Sequence, residues 1–199
     1  MRTGVFGGTF DPPHIAHLIL ADECRHQLRL ERVLWVLTQT PPHKLGQEIS
    51  PLDQRLALLQ AALDGESAFV LSRADIDRPA PHYAVDTLRI LRAEYPGDTL
   101  VYLMGGDSLR DLPSWHAPRQ FAAACDEIGV MRRPGAQVEL DEVTRQIPEL
   151  LEKLRWVDTP LIGISASEVR RRIREGAPYR HYLPPAVAGL IASRGWYLD

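Results

Sequence analysis

Apolar residues come along this chain in short runs, separated by stretches in which they recur every three or four positions. The runs at 3–6, 33–37, 69–71, 99–104, 128–131 and 161–164 read as strands. The stretch 15–28 carries Ile15, Leu18, Ile19 and Leu28 at helical spacing. Residues 51–63 repeat the pattern with Leu52, Leu56, Leu59 and Leu63, behind Ser50 as N-cap and Pro51 at the first helical position. Val85, Leu88 and Leu91 predict a helix over 83–95 that Pro96-Gly97 stops. Further helices are expected at 140–154, at 166–175 with Gly176 closing it, and at 184–193. Strand and helix alternate throughout, which predicts an α/β fold, a doubly wound parallel sheet with helices on both faces. No repeat, low-complexity tract or linker divides the chain. One domain over 1–199 is expected, with 166–199 as a small helical C-terminal subregion.

Such a sheet directs attention to the loops that follow its strands, because ligands bind at the carboxyl ends. Composition narrows the choice. The chain has 199 residues, 45% hydrophobic and 25% charged, with a formal net charge of -3. A general nucleic-acid binder carries a basic excess, so nucleic acid is not the expected partner. No apolar run is long enough to cross a bilayer. Met1-Arg2-Thr3-Gly4 leads straight into a strand-like run rather than a secretory signal. Cys24 and Cys125 are far apart in helix-like stretches and read as reduced thiols of a cytoplasmic protein.

The first loop is Gly7-Gly8-Thr9-Phe10-Asp11-Pro12-Pro13-His14-Ile15-Ala16-His17. Paired glycines let the backbone approach a ligand and adopt conformations barred to other residues, with N–H groups facing phosphate oxygens. The dinucleotide and P-loop fingerprints are both absent. A helix is expected to start near Asp11 or Pro12, with Asp11 as its cap, so that His14 and His17 share a face at its positive end. Two imidazole donors there suit a phosphate. A tight turn with solvated histidines is the plain alternative. A zinc site would need distant His26, His43 or Cys24.

Three other places carry chemistry. Lys44 follows a rigid Thr40-Pro41-Pro42 loop and can reach a polyphosphate, or simply be solvated. Gly105-Gly106-Asp107 ends the most apolar strand; Asp107 can hold ribose hydroxyls or cap the short helix that follows. Ser165 and Glu168 form a capping-box pattern, and the same helix start offers N–H groups to an anion. Arg170 lies one turn in and can add a bidentate phosphate contact, whereas Arg171, Arg172 and Arg174 read as solvated. Trp115 is either a core plug or a stacking platform, while Trp35, Trp156 and Trp196 read as packing residues.

Gly7-Gly8-Thr9-Phe10-Asp11-Pro12-x-His14-x-x-His17 resembles the first signature of the nucleotidyltransferase superfamily with the H-x-G-H motif. Ile164-Ser165-Ala166-Ser167-Glu168-Val169-Arg170 resembles its second, I-S-S-T-x-I-R. Pro41-Pro42-His43-Lys44, Gly105 to Leu109, Trp115 and Arg132-Arg133-Pro134-Gly135 resemble the bacterial nicotinate-nucleotide adenylyltransferases in particular. The likeness spans nearly the whole chain and implies a Rossmann-like nucleotidyltransferase fold. It implies adenylyl transfer from ATP, with Mg²⁺ carried on its phosphates, to nicotinate mononucleotide. His14, His17, Lys44 and Arg170 would then be catalytic, with Gly7, Gly8, Thr9, Phe10, Asp107, Ser165 and Ser167 binding ATP. Tyr83 and Trp115, with the backbone N–H groups of Ala84 and His116, would bind the acceptor.

The chain departs from the family at Ala16, where glycine is usual, and at Ala166 and Ser167 in the second signature. It also has His82-Tyr83-Ala84 for Ser-Tyr-Thr, and His116 where tyrosine is common. Sister activities on nicotinamide mononucleotide or phosphopantetheine, a non-catalytic nucleotide-binding module and a metal-binding domain are the rival readings. A homo-oligomer is left open by the sequence.

Overall fold

A computed structural model describes residues 1–39, 49–132 and 140–198. Within them the chain runs β1 (Arg2–Gly8), α1 (Ile15–Gln27), β2 (Arg32–Leu37), α2 (Leu52–Leu63), β3 (Phe69–Ser72), α3 (Ala84–Glu94) and β4 (Thr99–Gly105). It continues with α4 (Gly106–Asp111), α5 (Pro118–Ala124), β5 (Glu127–Arg132), α6 (Asp141–Gln146), α7 (Leu150–Lys153) and β6 (Leu154–Asp158). Two helices close it, α8 (Ala166–Arg174) and α9 (Pro185–Arg194). The described strands form one parallel sheet in the order β3-β2-β1-β4-β5-β6. The α/β doubly wound expectation therefore holds.

Burial on both faces explains the unbroken apolar strands. Val33, Leu34, Trp35, Val36 and Leu37 are all buried. The pleat sends them alternately to two cores. Val5, Leu34, Val36 and Leu100 join the cluster beneath α3 and α5. Phe6, Val33, Trp35, Leu37, Val101 and Leu103 face α1 and α2. A third cluster lies where α8 and α9 meet α2, around Leu58, Ala62, Val169, Val187 and Ile191.

The strand order places β1 between β2 and β4, with Phe6 opposite Trp35 on one side and Leu103 on the other. The chain leaves β1 in one direction and returns through β4 in the other. Their carboxyl ends therefore diverge, and a crevice opens there.

Some expected elements differ. The helix expected over 140–154 is two short helices, because Ile147 precedes Pro148 and takes an extended φ of -135°. The strand expected at 161–164 is absent. Leu161 is exposed there, and the sixth strand is Leu154–Asp158, with Leu154 and Val157 turned inward. Leu150, Leu151 and Leu154 match a helical stripe, which hid the change of period. Helix α2 begins at Leu52 with Pro51 in the N-cap position, one residue later than expected, and the Ser50 side chain does not cap it. Helix α5 was not anticipated; its proline at the first position and its Phe121-Ala122 core contact define it.

Candidate active site

The crevice is an open cleft of about 2240 Å³ at the carboxyl ends of β1 and β4. That exceeds the roughly 300–1,000 Å³ of a single small-ligand pocket and leaves room for two substrates. Gly7 to Asp11, His14 and His17 line one wall. Gly105 to Ser108, Tyr83, Ala84, Trp115, His116, Ser165 and Ala166 line the rest.

Helix α1 starts at Ile15 with His14 as its N-cap, not near Asp11. Gly7 and Gly8 finish β1 in extended conformation. The left-handed residue of the loop is Phe10, with φ 44°. A side chain at Gly8 would meet the Phe10 ring at 3.0 Å, so that glycine is needed for close approach rather than for its φ. Phe10 is held in its strained conformation by burial against Phe6, Trp35 and the His17 ring.

His14 and His17 share a face as expected, and their rings stack at 3.6 Å. The His17 Nδ1 accepts the backbone N–H of His14 at 3.1 Å. Its ring proton is therefore on Nε2. Burial lowers the His14 pKa to about 4, so this ring stays neutral at physiological pH. Its Nδ1 has no hydrogen-bond partner among the described residues. Neutrality of His14 allows close stacking without charge repulsion.

Behind this loop lies a network that sequence reasoning missed. The Asp11 carboxylate is buried rather than capping a helix. It accepts the Ser50 N–H at 3.1 Å and the Tyr197 hydroxyl at 2.8 Å. Arg170 donates to the Asp11 carbonyl oxygen at 2.6 Å and lies 3.7 Å from its carboxylate. Arg170 thus joins the second signature to the first loop. Arg55, 2% exposed, donates to the carbonyls of Ser50, Thr9, Thr38 and Gln39. An arginine three residues after Leu52 and four before Leu59 was the available signal, since it interrupts a core-facing stripe.

Ser165 caps α8 by accepting the Glu168 N–H at 3.2 Å. Glu168 turns outward to Arg171 and Arg172, so the capping box is not reciprocal. Arg171 and Arg172 are ion-paired rather than simply solvated. The exposed Ser165 and Ser167 hydroxyls lie 3.1 Å apart. Asp107 sits in the first turn of α4, exposed and 3.2 Å from Arg110. The helix is capped at Gly105 instead, so the capping alternative for Asp107 fails.

Elsewhere on the cleft wall the Tyr83 ring stacks on His116 at 3.9 Å. Trp115 packs edge-on against Phe121 at 5.2 Å and Tyr102 at 6.3 Å, half-buried, part plug and part wall. Arg78 donates to the carbonyls of Pro81 and Tyr83 and to Asp75. The buried Asp75 also accepts the hydroxyls of Thr38 and Thr87. This brace was also missed; Arg78 and Asp75 fall in a loop with no periodic signal. Lys44, with 41–43 and 133–135, lies outside the described residues.

The Cytidylyltransferase-like family model matches residues 5–172. A protein of Thermomicrobium roseum named "Probable nicotinate-nucleotide adenylyltransferase" is 46% identical over 98% of this chain and 91% of its own length. One of Salinibacter ruber with the same name is 35% identical over 99% and 98%. Among solved structures, the Plasmodium falciparum nicotinic acid mononucleotide adenylyltransferase complexed with NaAD superposes with a TM-score of 0.78. It covers 98% of this chain and 97% of that one at 17% identity, a likeness of fold. With its six-stranded sheet, its cleft at the switch point and both signatures in place, the chain belongs to the Cytidylyltransferase-like family and, within it, to the nicotinate-nucleotide adenylyltransferases.

Proposed function

We propose that this protein transfers the adenylyl group of ATP to nicotinate mononucleotide, giving nicotinate adenine dinucleotide and pyrophosphate in NAD biosynthesis. The observation that carries this reading is the stacked His14–His17 pair. It lies in one cleft with the start of α8 and the Tyr83, Trp115 and His116 wall.

The acceptor phosphate attacks the α-phosphorus in line, and the bond to the pyrophosphate oxygen breaks. A phosphate monoester is largely dianionic at neutral pH, its second pKa being about 6, so no general base is required. The protein's part is positioning and charge stabilisation. In this reading His17 donates from Nε2, and neutral His14 donates beside it, to the α-phosphate oxygens. The β1 end, with Gly7, Gly8, Thr9 and Phe10, frames the triphosphate. Ser165 and Ser167 offer hydroxyls to it at the α8 start, and Asp107 takes the ribose. Arg170 acts through the Asp11 carbonyl it holds. Lys44 keeps its proposed role toward the leaving pyrophosphate. Tyr83 and Trp115, with the N–H groups of Ala84 and His116, receive the nicotinate.

Among the described residues no three His, Cys, Asp or Glu side chains converge to hold an ion. We therefore place Mg²⁺ on the ATP phosphates, where it would neutralise charge on the leaving group. The third core cluster, which joins α8 and α9 to α2, supports reading 1–199 as one domain with 166–199 as its helical subregion. No helix among the described residues is long and apolar enough to cross a membrane. The cytoplasm is the proposed compartment, in keeping with the free, buried Cys24 and Cys125.

The test is pyrophosphate release from Mg·ATP with nicotinate mononucleotide, nicotinamide mononucleotide or phosphopantetheine. Release with the nicotinate nucleotide far above the others is expected. Release with another acceptor alone overturns the reading of the Tyr83–Trp115 wall.

A further inference from the structure

We propose that Tyr197, two residues before the end of the sequence, is a positioning residue for the phosphate-handling loop 7–17 and acts through Asp11. This rests on the adenylyl-transfer reading above. Tyr197 lies beyond α9, 186 positions from Asp11 in sequence, and its hydroxyl donates to the Asp11 carboxylate at 2.8 Å. The side chains of Gln54 and Ser50 also reach that hydroxyl. Burial and the adjacent Asp11 push the phenol well above its ordinary pKa, so it remains a protonated donor.

Asp11 is buried and touches the cleft wall itself. Four elements meet on it: the first loop, the start of α2 through Ser50, α8 through Arg170, and the C-terminal segment through Tyr197. His14 follows three residues later, and the strained Phe10 immediately precedes it. A tilt of the Asp11 peptide therefore moves the helix start that aims both histidines. The tyrosine itself is held in a left-handed conformation, φ 67°, after Gly195 at φ 66°. These two left-handed residues, either side of Trp196, accompany the return of the hydroxyl onto Asp11, while the ring packs with Trp196 against the cluster around Leu58 and Ile191. A residue needed only to fill that cluster would not require a hydroxyl or strained backbone.

Tyr197→Phe removes one oxygen and keeps the ring. Turnover is measured at saturating ATP and nicotinate mononucleotide, alongside the KM of each and the thermal midpoint. The expected result is a kcat about tenfold lower, from the lost charge-assisted bond, with the acceptor KM within twofold of wild type. A folded variant with wild-type kcat overturns the proposal, whatever happens to its melting. A second measurement needs no variant. In wild-type protein, the Tyr197 amide resonance shifts on saturation with a non-hydrolysable ATP analogue. An unmoved resonance overturns the coupling even if Tyr197→Phe fails to fold. Wild-type protein that releases no pyrophosphate with any acceptor sinks the functional reading separately, and the resonance measurement still judges Tyr197.

Discussion

The two ends of the parallel sheet are both polar, yet they are built on opposite plans. At the amino end Asp98 and Glu127 each gather opposite charges at close range. Asp98 accepts from the Met1 amino group at 3.2 Å, the Thr3 hydroxyl at 2.6 Å and Arg32 at 2.6 Å. Arg2 and Arg155 both pair with Glu127. At the carboxyl end Arg170 lies 3.7 Å from the Asp11 carboxylate and Arg78 pairs with Asp75, while Arg55 donates to four backbone carbonyls. The cleft wall carries imidazoles, hydroxyls, glycine backbone and aromatic faces, together with charges such as Asp107, Arg110, Arg132 and Arg145. The amino end uses its polarity to tie strands together, whereas Asp11, Asp75 and Arg55 at the carboxyl end fasten the loops that line the cleft.

The contrast is broken most strongly at His17. On the proposed mechanism His17→Ala removes a donor to the α-phosphate and should lower kcat about a hundred- to a thousandfold, equivalent to about 2.7–4 kcal/mol. Its thermal midpoint should stay near wild type. Near-normal turnover in the folded variant would remove the histidine pair from the mechanism.

Asp98→Asn should do the reverse, weakening the fold while leaving kcat unchanged. The Asp98 carboxyl is held at a pKa of about 2, mainly by the Thr3 and Arg32 bonds, against 3.8 ordinarily. That difference corresponds to about 2 kcal/mol of stability. Because the folded-state pKa is depressed, the contribution is complete above about pH 4 and fades as pH falls toward 2. Urea unfolding of wild type and Asp98→Asn should therefore differ clearly at pH 6 and converge toward pH 2. A constant difference across that window contradicts the assignment.

The smallest effect is expected at the Tyr83–His116 stack, the proposed acceptor wall. His116→Ala removes the stack on Tyr83, which is worth about 0.5–1.5 kcal/mol. The KM for nicotinate mononucleotide should rise two- to tenfold with the KM for ATP unchanged. A change confined to ATP would move His116 to the other substrate.

These comparisons also show what was legible in the sequence. Alternating apolar runs and helical stripes located the sheet and α1, α2, α3, α8 and α9, because each is a local periodicity. The glycine loop and the His14–His17 spacing were visible for the same reason. The final strand was not, since Leu150, Leu151 and Leu154 keep a helical spacing through Ile147-Pro148. Nor were Asp11 and Tyr197, or Arg55 with the carbonyls of Thr9 and Thr38. Those contacts join residues far apart in the chain, and nothing local in the sequence marks both partners. Asp11 illustrates the limit: its place beside a helix start suggests a cap, while its real partners come from positions 50, 170 and 197.

The most direct test of the account is to map the backbone amide resonances that shift when a non-hydrolysable ATP analogue binds. The account predicts large shifts at Gly7, Gly8, Thr9, His14, His17 and 165–168, with Met1, Thr3 and Asp98 silent. Shifts centred on the amino end, or none in that loop at saturation, would contradict it.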